Sequence, residues 1–125
     1  MQRTGIVTQT PPTTTYKRGD VVLVPFPFTD LMGVKRRPGL VVSTEAHNTA
    51  TRDIVIAQIT GNVTGNPRVG DHNIAGWQQA GLVAPSIVRA KLATIETTQI
   101  NRTIGRLLPA DMTQVNAKLR TMLAL

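Results

Sequence analysis

Apolar positions in this chain come mostly as short β-branched runs and only once as a helical stripe. Val21–Val24 and Leu40–Val42 are two such runs, each beside a turn former, and they predict strands. Pro25 and Pro27 remove two backbone donors, so the first strand cannot continue there as a paired central strand. Ile54, Val55, Ile56 and Ile59 make 53–60 nearly continuous, which predicts a strand buried on both faces and ending at Thr60-Gly61-Asn62. In 86–97, Val88 and Leu92 alternate with Arg89 and Lys91; with the first pair inward, the two cations point outward together. A further short strand is expected over 103–108, with Arg102 and Arg106 at its ends. From Pro109, Met112, Val115, Leu119, Met122 and Leu123 follow helical spacing and predict one amphipathic C-terminal helix.

Between these runs, 45–52 reads as a polar turn and 63–76 as a loop, with at most a short strand, lying as a flap over the site. Trp77 to Gly81 reads as a brief helical turn anchored by its tryptophan. Residues 1–15, rich in Thr, Gln and Pro, have no period and read as a flexible tail before a single domain spanning 16–125. Short strands, long loops and one terminal helix, without strand–helix alternation, predict a mainly β fold: a small antiparallel barrel or sheet carrying a C-terminal helix.

Composition narrows the chemistry. The 125 residues carry fourteen Lys and Arg against seven Asp and Glu, a formal charge of +7, which points to an anionic partner, nucleic acid above all. Aromatic residues make only 3%, so the core rests on aliphatic side chains and gains from burying a further face in a homodimer. The absence of cysteine excludes disulfides, zinc–thiolate sites and thiol nucleophiles. His47 and His72 have no ligand spacing, so no metal site and no cofactor is expected. No apolar run approaches the ~20 residues of a membrane span, and the N-terminus has no signal-peptide core, so a cytoplasmic location is expected.

The connection from Pro25 to Lys35 ends in the triplet Lys35-Arg36-Arg37 before Pro38, which biases Arg37 toward extended backbone. Arginine presents a planar, permanently charged fork suited to phosphate oxygens, and a hydroxyl adds one more donor. Phe26 and Phe28, two apart, offer a stacking platform for an unpaired base or else a plug for the end of the barrel. Arg89 and Lys91 suit a phosphate track as well as they suit an ordinary solvated face. Charge alone does not say whether RNA is bound or cut.

The segments RGDVVLVPFPFTD (18–30), RRPGLVVS (36–43) and IVIAQITGN (54–62), with Trp77–Val88 and the C-terminal run, resemble the MazF/PemK (Kid) family of bacterial toxins. The resemblance covers residues 16–124 and implies an SH3-like barrel forming a homodimer. It further implies the toxin of a type II toxin–antitoxin system, a metal-independent endoribonuclease selective for sequence in single-stranded RNA. Attack by the ribose 2′-OH would leave a 2′,3′-cyclic phosphate and a 5′-OH. The family's catalytic arginine, directly before the proline of its RP motif, falls on Arg37; its catalytic threonine or serine, ending the strand written ITG or ITS, falls on Thr60. Phe28, Lys35, Arg36, Asn62, Arg89 and Lys91 are the candidate substrate contacts. Many relatives carry Gln-Ile-Arg where this chain has Lys91-Leu92-Ala93. The implied partners are the RNA, a cognate antitoxin whose acidic tail occupies the RNA groove, and operator DNA bound through the toxin–antitoxin complex. The alternatives are the same barrel as a non-cleaving module that inhibits a protein target or regulates transcription, and a ribonuclease using His47 and His72 as an acid–base couple.

Overall fold

The computed structural model describes residues 14–25 and 36–125. The candidates Phe28 and Lys35, together with Phe26 and nearly all of the expected tail, lie outside the described residues. Six strands form one sheet in which every ladder is antiparallel: β1 (Asp20–Pro25), β2 (Arg36–Val41), β3 (Asp53–Thr60), β4 (His72–Asn73), β5 (Ile87–Glu96) and β6 (Arg102–Arg106). Their order across the sheet is β4-β5-β3-β2-β1-β6. Among the described residues the α-helices are α1 (Glu45–Thr51) and α2 (Pro109–Leu123), with one 3-10 turn at Thr97–Gln99. The mainly β architecture with a C-terminal helix is the one expected from the pattern.

Strand alternation divides the core between the two faces of the sheet. On one face Val21, Leu40, Ala57, Ile59 and Val88 pack with Val115 and Leu119 of α2. On the other, Val22, Val24, Val41, Ile54, Ile56 and Ile95 close around Tyr16 and Ile100. β3 supplies buried residues to both, as its unbroken apolar run predicts. Of the expected helical stripe, Met112, Val115 and Leu119 reach the sheet, whereas Met122 and Leu123 remain exposed.

The reading of 45–52 as a turn needs correction, because most of it is α1. Thr44 caps this helix, its Oγ1 accepting from the His47 amide at 3.2 Å, and Arg52 ends it at φ 61°. What holds it is polar: buried Asn48 donates to the Tyr16 carbonyl at 2.8 Å and accepts from the Ser43 hydroxyl at 2.6 Å. A helix fixed by a cap and one buried amide has no apolar stripe to betray it.

At the far edge of the sheet, β6 packs against the 75–81 turn. A Cβ on Gly105 would stand 2.0 Å from the Ala80 carbonyl oxygen, and one on Gly81, at φ +84°, would stand 2.1 Å from that of Ile104. Two glycines thus allow backbone-to-backbone contact. Asp20, buried where β1 begins, accepts from the Lys17 amide at 2.9 Å and from Arg106 at 2.8 Å, fixing β1 against β6. Among the described residues, no helix is long and apolar enough to cross a membrane.

Candidate functional site

β2 and β3 pair through Gly39–Gln58, Leu40–Ala57 and Val41–Ile56, and no further. The Val42 amide donates to the Val55 carbonyl at 2.9 Å. In an antiparallel ladder the residues turned toward a given neighbour alternate, so 42, 40 and 38 are the positions of β2 whose backbone faces β3. Position 38 is proline and has no N–H to give. The ladder stops there for a chemical reason.

Two residues beyond the last pair on each strand stand Arg37 and Thr60. By strand alternation both belong to the face that carries Val41 and Ile56, beyond the mouth left by Pro38. Arg37 is half-buried beside its β1 partner Val24, and its Nε is buried with no hydrogen-bond partner. A buried guanidinium nitrogen left unsatisfied costs about 1–3 kcal/mol or more and is uncommon. Thr60 Oγ1 accepts from the Asn62 amide at 3.2 Å, which leaves the hydroxyl hydrogen to donate elsewhere. The same bond turns the chain sharply after β3 and sets exposed Asn62 beside Thr60.

The other candidates are placed differently. Exposed Arg36 gives its Nε to the Asn101 side chain, which draws it toward the segment entering β6 and away from Thr60. Arg89 is cross-strand from Gln58, on the face of Arg37 and Thr60, but its charge is held by Asp71: Nε and Nη2 each donate at 3.0 Å to one carboxylate oxygen. Both side chains are nearly buried, at 13% and 7% exposure. Burial pushes the Asp71 carboxyl up, but hydrogen bonds from Arg89 and the Arg68 amide, with the Arg89 charge, outweigh it and hold it below the ordinary carboxylate value. The same hydrogen bond raises Arg89. Lys91 is half-buried where the β3–β5 register shifts, between Leu92 opposite Ala57 and Arg89 opposite Gln58.

His72 is committed elsewhere, its Nε2 lying 2.7 Å from Asp111 Oδ1. Asp111, in the first turn of α2, also accepts from the Ala75 and Gly76 amides at 2.9 Å, so it ties the 61–76 segment to the helix. Burial raises this carboxyl, yet the bonds from His72 and the two amides leave it below its ordinary value. His47 sits on α1 with its Nδ1 3.3 Å from Asn48. Each imidazole has its own local partner on a different element. Two clefts of about 540 and 500 Å³ flank α2, and neither is lined by Arg37 or Thr60. Among the described residues, no three His, Asp or Glu side chains are grouped to hold a metal ion.

Two positions beside the site escape a reading of the sequence. Asp71 becomes visible only once the chain folds it onto Arg89, eighteen residues away. Gln58 had a signal, its spacing of two from Thr60 on one strand, which puts both on the same face.

Arg37 and Thr60 lie in two of the segments that carry the resemblance, 36–43 and 54–62. Residues 17–123 match the family described as the PemK-like, MazF-like toxins of type II toxin–antitoxin systems. The chain belongs to this family. Among solved structures, the PemK/MazF toxin fold recurs in an endoribonuclease in complex with its cognate antitoxin from a mycobacterial species. That protein is 23% identical, with 90% of this chain and 97% of the other covered and a TM-score of 0.69. MazF from Deinococcus radiodurans is 19% identical, with 90% and 100% covered and a TM-score of 0.72. The Mycobacterium tuberculosis toxin MazF-mt6 is 20% identical, with 85% and 97% covered and a TM-score of 0.67. These likenesses show a shared fold, the SH3-like barrel. A search of curated proteins finds no match.

Proposed function

We propose that this MazF-like toxin is an endoribonuclease that cuts single-stranded RNA at selected sequences, with Arg37 and Thr60 acting on the scissile phosphate. The observation that supports the reading is an arginine whose buried Nε has no partner, two residues beyond the β2–β3 ladder on one strand, with a hydroxyl free to donate two residues beyond it on the other. RNA brings its own nucleophile. The 2′-OH loses its proton and attacks the adjacent phosphorus, the bond to the 5′-oxygen breaks, and that oxygen takes up a proton. The products are a 2′,3′-cyclic phosphate and a 5′-OH.

What such a reaction asks of a protein is alignment and stabilisation of charge on the non-bridging oxygens. Arg37 supplies permanent charge and Thr60 a donor that fixes the phosphate. Arginine, with its very high pKa, is better suited to holding the developing charge than to removing the 2′ proton. No step calls for a metal ion. Asn62, held beside Thr60, is a substrate contact in this scheme, and Arg89 becomes one only on leaving Asp71.

The endoribonuclease of the mycobacterial neighbour is complexed with its cognate antitoxin. By the same reading this toxin acts in the cytoplasm as a homodimer of single-domain subunits. It is silenced by an antitoxin segment that lies in the RNA groove and mimics its charge, and the complex binds operator DNA.

The test is cleavage of a long single-stranded RNA in EDTA, with end groups mapped on the products. The expected result is a small set of cuts ending in cyclic phosphate, each blocked when the nucleotide 5′ of the cut is made 2′-deoxy. No cutting of diverse RNAs by antitoxin-free protein would replace this reading with that of a non-cleaving binding module.

A further inference from the structure

The row of side chains next to Arg37 and Thr60 holds a polar side chain that the site described above does not use. Gln58 lies on β3, two residues before Thr60 and hence on the same face, and it is half-buried. Its cross-strand neighbour on β2 is Gly39, which offers no side chain to cover it. Gly39 is itself buried, and a Cβ there would stand 3.3 Å from the Ile56 side chain. On β5 the neighbour is Arg89, whose guanidinium is engaged by Asp71. Among the described residues, the Gln58 amide makes no side-chain hydrogen bond.

An amide carries a donor and an acceptor side by side, and a base edge presents the complementary pair. Single-stranded RNA is read through such edges when its bases are splayed from the stack. Successive rows on one strand face are about 7 Å apart, roughly the spacing of a phosphate from a neighbouring unstacked base.

We propose that Gln58 is a specificity-determining residue, reading the edge of the base that flanks the scissile phosphate. This rests on the cleavage reading above. Adenine, which an amide pairs through two hydrogen bonds, is the base that fits it best.

The experiment is digestion of an RNA library randomised around its centre by wild type, Gln58→Ala and Gln58→Glu, with every cut sequenced. Gln58→Glu preserves shape and removes the donor, and continued cutting reports that each variant folds. Both variants should lose about tenfold in base preference at one position flanking the cut, while still producing cyclic phosphate. Preferences in both variants that superimpose on wild type would overturn the proposal and leave the cleavage reading standing. Loss of all cutting in both, with thermal stability unchanged, would overturn it too, since Gln58 would then serve the chemical step. A wild type that cuts nothing would remove the cleavage reading and this proposal together.

Discussion

Arg37 sits in the sheet face beside Val24, and its Nε is buried without a partner. That arrangement is unfavourable for the free protein and useful for one awaiting a phosphate. Replacing Arg37 by Leu should therefore leave the thermal midpoint unchanged or raise it, by an amount worth about 1 kcal/mol, while the cleavage rate falls on the order of 10²–10³-fold. Thermal unfolding followed beside an RNA assay checks both halves. Arg37→Lys retains the charge without the planar fork, and its rate should stay nearer to that of Arg37→Leu than to wild type. At this scale the sequence was legible only in part. Thr60 and Arg37 stand out through the motifs around them, but the β2–β3 register that ends at Pro38 becomes visible only in the fold, and Asp71 as the keeper of Arg89 depends on the folded loop.

The elements were read well where burial alone decides them and poorly where polar contacts do. β3 and α2 announce themselves by apolar pattern; α1 does not, since its stability lies in the Thr44 cap and the hydrogen bonds of Asn48. Contacts between elements were not legible at all. The approach of the 75–81 turn to β6 needs Gly105, and Gly105→Ala should destabilise by about 1–3 kcal/mol or more, measurable as a lower denaturation midpoint. Asp111 joins α2 to the 75–76 backbone with its carboxyl held below the ordinary value. Such a group binds a proton more readily in the unfolded chain. Its stabilisation is thus complete above the unfolded pKa of about 3.9 and is lost as pH falls through the lower folded value. Asp111→Asn should lower stability at neutral pH and flatten the decline on acidification, which denaturation at pH 3 to 7 would show.

For the whole molecule, charge is the property most plainly written in the sequence. A surplus of +7 on a fold whose site is an open strand mouth favours a long polyanion over a small ligand held in a cavity. Binding of an uncleavable single strand should weaken steeply with salt, log K falling against log salt concentration with a slope of about −0.7 per phosphate contacted. Because Arg89 is already neutralised by Asp71, Arg89→Gln should change that slope less than Arg36→Gln does.

The most direct test of the central claim is the single-turnover cleavage rate of wild type beside Arg37→Ala, Thr60→Ala and the double variant, all on one RNA. If the two side chains act on the same phosphate, Arg37→Ala should lose on the order of 10²–10³ in rate, with Thr60→Ala also impaired. The double variant should lose much less than the product of the two single losses. Cutting at the same positions with an undiminished rate in Arg37→Ala would contradict the account and move the chemistry to another part of the sheet.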